Sequence, residues 1–362
     1  MQLEFCIEHA QVLAEVGRLL PERSDGSAEG YAARVTPLVG GRRFGLVVQD
    51  VQAYDATLWL RLREFLRGLF EHTSLPGDAC KATVFLGNYE RTPFGLHRGD
   101  SANFMFVVEG RKRMRTWPDA FFHGKENLTH KLAYEHYNAD SIVMDAEPGD
   151  VIFWPSDYWH IGESVDGGLS SAVSVALFMT PRPTADVMAR AASLVHARMA
   201  GAVPAARGGA HAEHVQRIAL EAARSQAALA AAVADPALER ALRIDLLNGI
   251  TAFGFTRPPR PLPRRTLADG DIVSGHALYP VLWMPDADDA IVCSACGHAF
   301  TVAASPHVIL LLESLNAGQP HRVGELVERH AGVVEANGVE FRTPPASVRA
   351  LLERLLSLRA IS

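Results

Sequence analysis

The chain has 362 residues, long enough for two or three domains with a substantial core. Hydrophobic residues make up 48%, charged residues 21%, and the formal net charge of -6 gives no general reason to expect nucleic-acid binding. Cys6, Cys80, Cys293 and Cys296 are too few and too scattered for a disulfide framework, so a reducing, cytoplasmic setting is expected.

The N-terminal stretch MQLEFCIEHAQ carries acids early and lacks a basic region, so no signal peptide is expected there. No run of about 18 apolar residues is present to span a membrane. Residues 1 to about 75 mix helix and short strand signals. LWLRLREFLRGLF (Leu58–Phe70) repeats apolar residues at helical spacing and predicts a core helix, ended by SLPGD. From Lys81 to Thr180 short runs alternate with turns: KATVFLG, NFMFVVEG, KRMRTWP, SIVMDAEPGDVIFWP and SSAVSVALFM. Their length, β-branched and aromatic content and Gly/Pro boundaries predict the strands of a barrel or jelly roll. PRPT (Pro181–Thr184) closes that region.

Residues 184–256 read as a helical region, interrupted at GAVPAARGGA (Gly201–Ala210). His214–Ala234 is one long helix ended near Asp235-Pro236. Its small residues suit close packing, either between two subunits of a homodimer or within one bundle. RPPRPLPRR (Arg257–Arg265) reads as a stiff linker. SPHVILLLESLNAG, HRVGELVERHAG and PPASVRALLERLLSLRA predict three helices in a winged-helix-like module. From Thr301 onward six Arg and no Lys face six Glu and no Asp, so a protein contact suits this module better than DNA. The expected organisation is α+β: a barrel with its flank over 1–183, a helical region over 184–256, and linker plus module over 257–362.

Two stretches carry chemistry: FGLHRGDSANFMFVVEGRKRMRTWP (Phe94–Pro118) and PGDVIFWPSDYWHIGES (Pro148–Ser164). In each a histidine, His97 or His160, sits at a strand end beside turn residues. About sixty residues separate them, a distance a barrel folds back across. Two His and one carboxylate on one face is a common way to hold Fe(II) with positions left open. The remaining histidines of the fifteen lack such surroundings.

These motifs resemble the JmjC-type cupin oxygenases, a family dependent on Fe(II) and 2-oxoglutarate that hydroxylates proteins and peptides. It includes the bacterial ribosomal oxygenases and the asparaginyl hydroxylase that inhibits hypoxia-inducible factor. The resemblance runs from about Lys81 to Thr180 and implies a double-stranded β-helix (jelly-roll or cupin) core. It implies His97 and His160 as iron ligands, and Lys112 of GRKR as the cation that grips the distal carboxylate of 2-oxoglutarate. Strand alternation permits that role by turning Lys112 away from the face of Arg111 and Arg113. More loosely, the ribosomal oxygenases share the order of barrel, helical dimerisation region and winged-helix-like module.

The pattern departs at the third ligand, because the family register puts Gly99 at the carboxylate position. In one reading the loop bulges and Asp100 reaches the metal. In another the carboxylate is absent, as in 2-oxoglutarate-dependent iron halogenases where chloride fills the gap. In a third the site has decayed and the chain is a non-catalytic peptide binder. Asp100 is retained as the provisional ligand, although the unshifted spacing from His97 to Lys112 favours a true glycine substitution. Tyr89 is a candidate for contact with co-substrate; Asn103, Trp154 and Tyr158 are candidates for the substrate pocket. Asn88 more simply closes a strand. CSACGH (Cys293–His298) holds one C-x-x-C, and a structural zinc site needs four ligands, so a buried turn is the expectation there.

Overall fold

The computed structural model describes residues 3–123 except 9, 13–15 and 78, residues 133–179, and residues 211–362 except 288 and 337. Between 180 and 210 it describes only 189, 192 and 193. Pro181–Thr184 and Gly201–Ala210 therefore lie outside the described residues. Contacts divide the chain into two units, residues 1–180 with 254–260, and residues 181–253 with 261–362.

The first unit contains β1 (Leu3–Ile7), β2 (Ala10–Gln11), α1 (Ala28–Leu38), β3 (Phe44–Gln49), α2 (Ala56–Thr73), β4 (Ala79–Gly87) and β5 (His97–Arg98). β6 (Ala102–Glu109), β7 (Lys112–Pro118), β8 (Ile142–Ala146), β9 (Val151–Trp154), β10 (Tyr158–Ser164) and β11 (Ser170–Phe178) follow. They form two antiparallel sheets, ordered β2-β1-β3-β4-β11-β6-β9 and β5-β10-β7-β8, with a cavity between them.

Alternation explains which side chains reach the interior. β6 buries Asn103, Met105 and Val107, and β7 buries Lys112, Met114 and Thr116. The outward partners find charge complements on neighbouring strands: Arg113 pairs with Asp145 at 2.6 Å and Arg115 with Glu163 at 2.9 Å. Met105, Val107, Met114, Ile152 and Trp154 pack together inside, each large side chain contributing about 1.5–3 kcal/mol by burial. The turn from β6 to β7 requires Gly110. Its φ is +68°, and a Cβ there would lie 2.1 Å from the Leu169 carbonyl oxygen. Helix α2 follows the expected apolar period, burying Trp59, Leu62, Leu66 and Phe70, and Asp55 caps it by accepting from the amides of Thr57 and Leu58.

The second unit holds α3 (His211–Val233), α4 (Pro236–Thr251), β12 (Ile272–Ser274), β13 (Leu282–Pro285), β14 (Ala290–Ala295) and β15 (His298–Ala303). It continues with α5 (Pro306–Asn316), β16 (Pro320–Arg322), α6 (Val323–His330), β17 (Gly332–Ala336), β18 (Val339–Thr343) and α7 (Pro345–Ser357). The residues expected to end the long helix also start the next one: Asp235 accepts from the amide of Ala237 at 2.8 Å and Pro236 occupies the first helical turn. α4 packs on β13–β15, where the hydroxyl of Thr251 lies 2.7 Å from that of Ser294. The α4 helix and the C-terminal module fall in the same compact unit. Leu311, Leu312, Leu315, Leu326, Leu352 and Leu355 lie at the centre of its core.

CSACGH is the corner of the β14–β15 hairpin. Cys296 and Gly297 have φ of 50° and 80°, the pair of positive angles a type I′ turn demands. Among the described residues no group of three or more His, Cys, Asp or Glu side chains could hold a metal ion, at this turn or elsewhere. No described helix is long and apolar enough to cross a membrane.

Candidate metal and co-substrate site

β5 and β10 pair antiparallel with His97 directly opposite His160. Their ring centroids are 4.3 Å apart, so two motifs distant in sequence converge on one point. Each ring is oriented by its own backbone: Nδ1 of His97 lies 2.9 Å from the Gly95 carbonyl, and Nδ1 of His160 lies 3.3 Å from that of Tyr158. A carbonyl oxygen can bond a ring nitrogen only when that nitrogen carries the proton. In the neutral rings the proton therefore sits on Nδ1 and the lone pair on Nε2, the tautomer a metal needs. Burial, reinforced by neighbouring His97, lowers the pKa of His160 to about 3, so it stays an uncharged imidazole in the neutral range.

Asp100 is exposed, and among the described residues no carboxylate completes a three-residue cluster with the histidines. Alternation gives the reason: beyond β5 the chain turns Gly99 to the side of His97 and Asp100 to the other. Gly99 lines the cavity, and a Cβ there would lie 3.2 Å from Cε1 of His160.

The cavity has a volume of about 270 Å³. Trp154 forms part of its wall, with its indole 5.1 Å from the His160 ring. Asn103 also faces in, its Nδ2 donating to the Ser101 carbonyl at 2.8 Å and its Oδ1 accepting from Ser174 at 3.3 Å. The Tyr158 side chain is not part of the lining; that residue acts on the site through its carbonyl. Asn88 closes a strand by accepting from the Phe44 amide at 2.8 Å.

Lys112 is only 2% exposed. Its ammonium donates to the Tyr89 hydroxyl at 2.6 Å and lies 3.4 Å from that of Ser164, and no carboxylate pairs with it among the described residues. Burial lowers its pKa to about 7 and pushes that of Tyr89 up. Neither Lys112 nor Tyr89 lines the cavity. Lys112 pairs with Ser164 one inward step beyond Met114 and Gly162, and a Cβ on Gly162 would meet Thr92 and the Met114 methyl at 3.3 and 3.5 Å. Met114 and Thr92 therefore lie between the histidines and the buried ammonium.

Two lining residues, Lys81 and Thr92, carry no sequence signal strong enough to single them out. Lys81 brings a second cation, its ammonium 5.4 Å from the centroid of the Phe178 ring. The buried Thr92 hydroxyl and Trp154 indole N–H have no hydrogen-bond partner among the described residues, which marks places where a bound molecule's polar atoms fit. Two neutral imidazoles beside a glycine suit a divalent metal that draws its remaining ligands from small molecules, and an ammonium without a carboxylate suits a carboxylic acid.

Fold and site together define a two-sheet antiparallel barrel with a histidine pair in its cavity. The sequence matches no protein-family model and no curated protein. Among solved structures the chain is similar to the ribosomal oxygenase YcfD of Escherichia coli. In complex with cobalt and succinic acid, that protein aligns at 15% identity over 88% of this chain and 78% of that one, TM-score 0.44. Its complex with cobalt and 2-oxoglutarate aligns at 16% identity over the same shares, TM-score 0.41. A cupin superfamily protein from Desulfitobacterium hafniense matches at 12% identity over 28% of this chain and 68% of that one, TM-score 0.18.

Proposed function

We propose that this chain is an Fe(II)- and 2-oxoglutarate-dependent oxygenase that hydroxylates a side chain of a peptide or protein. The observation that carries the reading is the His97–His160 pair, 4.3 Å between ring centroids, in a cavity separated by Met114 and Thr92 from a buried ammonium with no described carboxylate partner. On this reading the two sheets form a double-stranded β-helix and the C-terminal helices with the β17–β18 hairpin form a winged-helix-like module. His97 and His160 would hold the metal through Nε2, and Lys112 with Tyr89 would anchor the distal carboxylate of 2-oxoglutarate. When bound, iron with 2-oxoglutarate and oxygen supplies C–H oxidation coupled to decarboxylation of the co-substrate to succinate.

The chain's own work is orientation and exclusion of water. The Gly95 and Tyr158 carbonyls fix the imidazole tautomers. Lys112 takes up a proton as a carboxylate arrives, Met114 yields to admit it, and Thr92 and Asn103 offer hydrogen bonds along the way. The four free, buried cysteines support a reducing compartment such as the cytoplasm. Exposed Leu229, Val233, Leu246 and Ile250 on α3 and α4 support contact between two copies.

Gly99 favours a second reading within the same chemistry. With no side chain at the third position, an exogenous anion such as chloride would complete the coordination, and the outcome would be halogenation. The test is to mix the protein anaerobically with Fe(II) and 2-oxoglutarate, record the weak visible charge-transfer band, admit oxygen and assay succinate. A band followed by succinate supports the oxygenase, and a band whose position responds to chloride supports the second reading. No band and no succinate would leave a peptide-binding barrel without catalysis.

A further inference from the structure

A larger cleft, about 580 Å³, lies in the second unit, along β15. One wall is β15 itself, which pairs with β14 on one side and with no described strand on the other. Half of its backbone amides and carbonyls therefore face the cleft side without a ladder partner. The sequence of this strand, HAFTVA, has neither the lysine nor the proline that usually guards an open edge. The opposite wall is one face of α7 with its cap: Pro344, Ser347, Leu351 and Arg354, three to four residues apart. Phe300 and Phe341, both half-buried, supply apolar surface between them.

Three cations border this cleft, Arg264, Arg342 and Arg354, and no acidic residue lines it. The Arg354 guanidinium lies 5.9 Å from the Phe300 ring centroid, and none of the three has a carboxylate partner among the described residues. Their neighbours differ: Arg265 pairs with Asp271, and Arg349 with Asp269. From Pro261 onward, however, eleven acids outnumber eight arginines. The positive charge is thus concentrated at the cleft, and the rest of this stretch carries net negative charge, which does not favour a long phosphate backbone.

We propose that this cleft binds an extended acidic segment of a partner protein, which adds to β15 as a fourth strand and sets its carboxylates against Arg264, Arg342 and Arg354. A groove between an open strand edge and a helix is the shape that takes an extended chain, with main-chain hydrogen bonds giving affinity and alternate side chains giving specificity. Arginine forks select carboxylates by geometry as well as by charge. The inference is independent of the metal chemistry in the other unit and needs no turnover to test.

The experiment uses the full chain and a fluorescein-labelled peptide of alternating Glu and Val, followed by anisotropy and by hydrogen–deuterium exchange of the β15 amides. The expected result is saturable binding, slowed exchange in 298–303, no binding of the matching Lys–Val peptide, and an affinity loss of at least about tenfold in Arg342→Glu/Arg354→Glu. Exchange in the unsubstituted chain carries the test even if that variant misfolds. No binding of the Glu–Val peptide, binding with unchanged exchange at β15, or displacement of the peptide by a short oligodeoxythymidylate that binds more tightly would each overturn the proposal.

Discussion

Replacing Lys112 by methionine isolates the buried ammonium. The ordinary lysine pKa of 10.5 falls to about 7 in the folded chain, chiefly because burial penalises the charged form. The folded pKa is lowered below the unfolded one, so between about 7 and 10.5 the unfolded chain binds the extra proton and stability rises with pH. The full cost of holding the charge, present below pH 7, is about 5 kcal/mol. Between pH 6 and pH 9.5 the parent should gain about 3 kcal/mol from this group alone, and Lys112→Met should lack that gain. The variant also loses the bonds to Tyr89 and Ser164, about 1–3 kcal/mol, so it should be the more stable protein at pH 6 and lose that advantage at pH 9.5. Urea unfolding followed by tryptophan fluorescence reads mainly this unit, because four of the five tryptophans, Trp59, Trp117, Trp154 and Trp159, lie in it and only Trp283 in the other. Parallel pH profiles for parent and variant would show that Lys112 does not titrate in this way.

Other expected outcomes follow from single contacts. Gly99→Asp puts a carboxylate beside His160, where the Cβ approaches to 3.2 Å, and should tighten Co(II) binding by about tenfold or more in a calorimetric titration; weaker binding would contradict the placement. Gly110→Ala should cost more than about 2 kcal/mol in urea unfolding, because its Cβ meets the Leu169 carbonyl; a silent substitution would contradict that turn. His330 is buried with both ring nitrogens unpartnered among the described residues. Burial, then Arg329, His307 and His321, lowers its pKa below 6.5. Its stabilising effect is present above pH 6.5 and lost as pH falls, so His330→Leu should flatten the acid side of the thermal-unfolding profile; an unchanged profile would count against it. Thr92→Val removes an unpartnered buried hydroxyl, so stability should hold or rise by up to about 1 kcal/mol while affinity for a 2-oxoglutarate analogue falls; a lower melting temperature would show an unseen partner.

The site was legible where it depends on local pattern. His97 and His160 sit in long motifs, and strand alternation permits Lys112 to face inward, away from the side of Arg111 and Arg113. Adjacency of Asp100 to Gly99 in sequence is not adjacency in space, because one step along an extended chain reverses the face, and Asp100 is exposed. The roles of Lys81, Thr92 and Met114 arise from cross-strand register, which a single run such as KATVFLG does not encode. The same limit hid the second unit's sheet. AIVCSACGHAF draws the eye to its cysteines, yet the two positive φ angles at Cys296 and Gly297 make it a hairpin. Helix α2 was legible because eighteen residues carry the apolar period through to a cap.

On the proposed reading, two imidazoles form one metal site without a carboxylate from the chain. A calorimetric titration with Co(II) of the parent, His97→Ala, His160→Ala and Asp100→Ala proteins tests it most directly. One equivalent should bind the parent and Asp100→Ala with the same affinity, and either histidine variant should lose it. Binding that survives both histidine substitutions, or that disappears in Asp100→Ala, would contradict it.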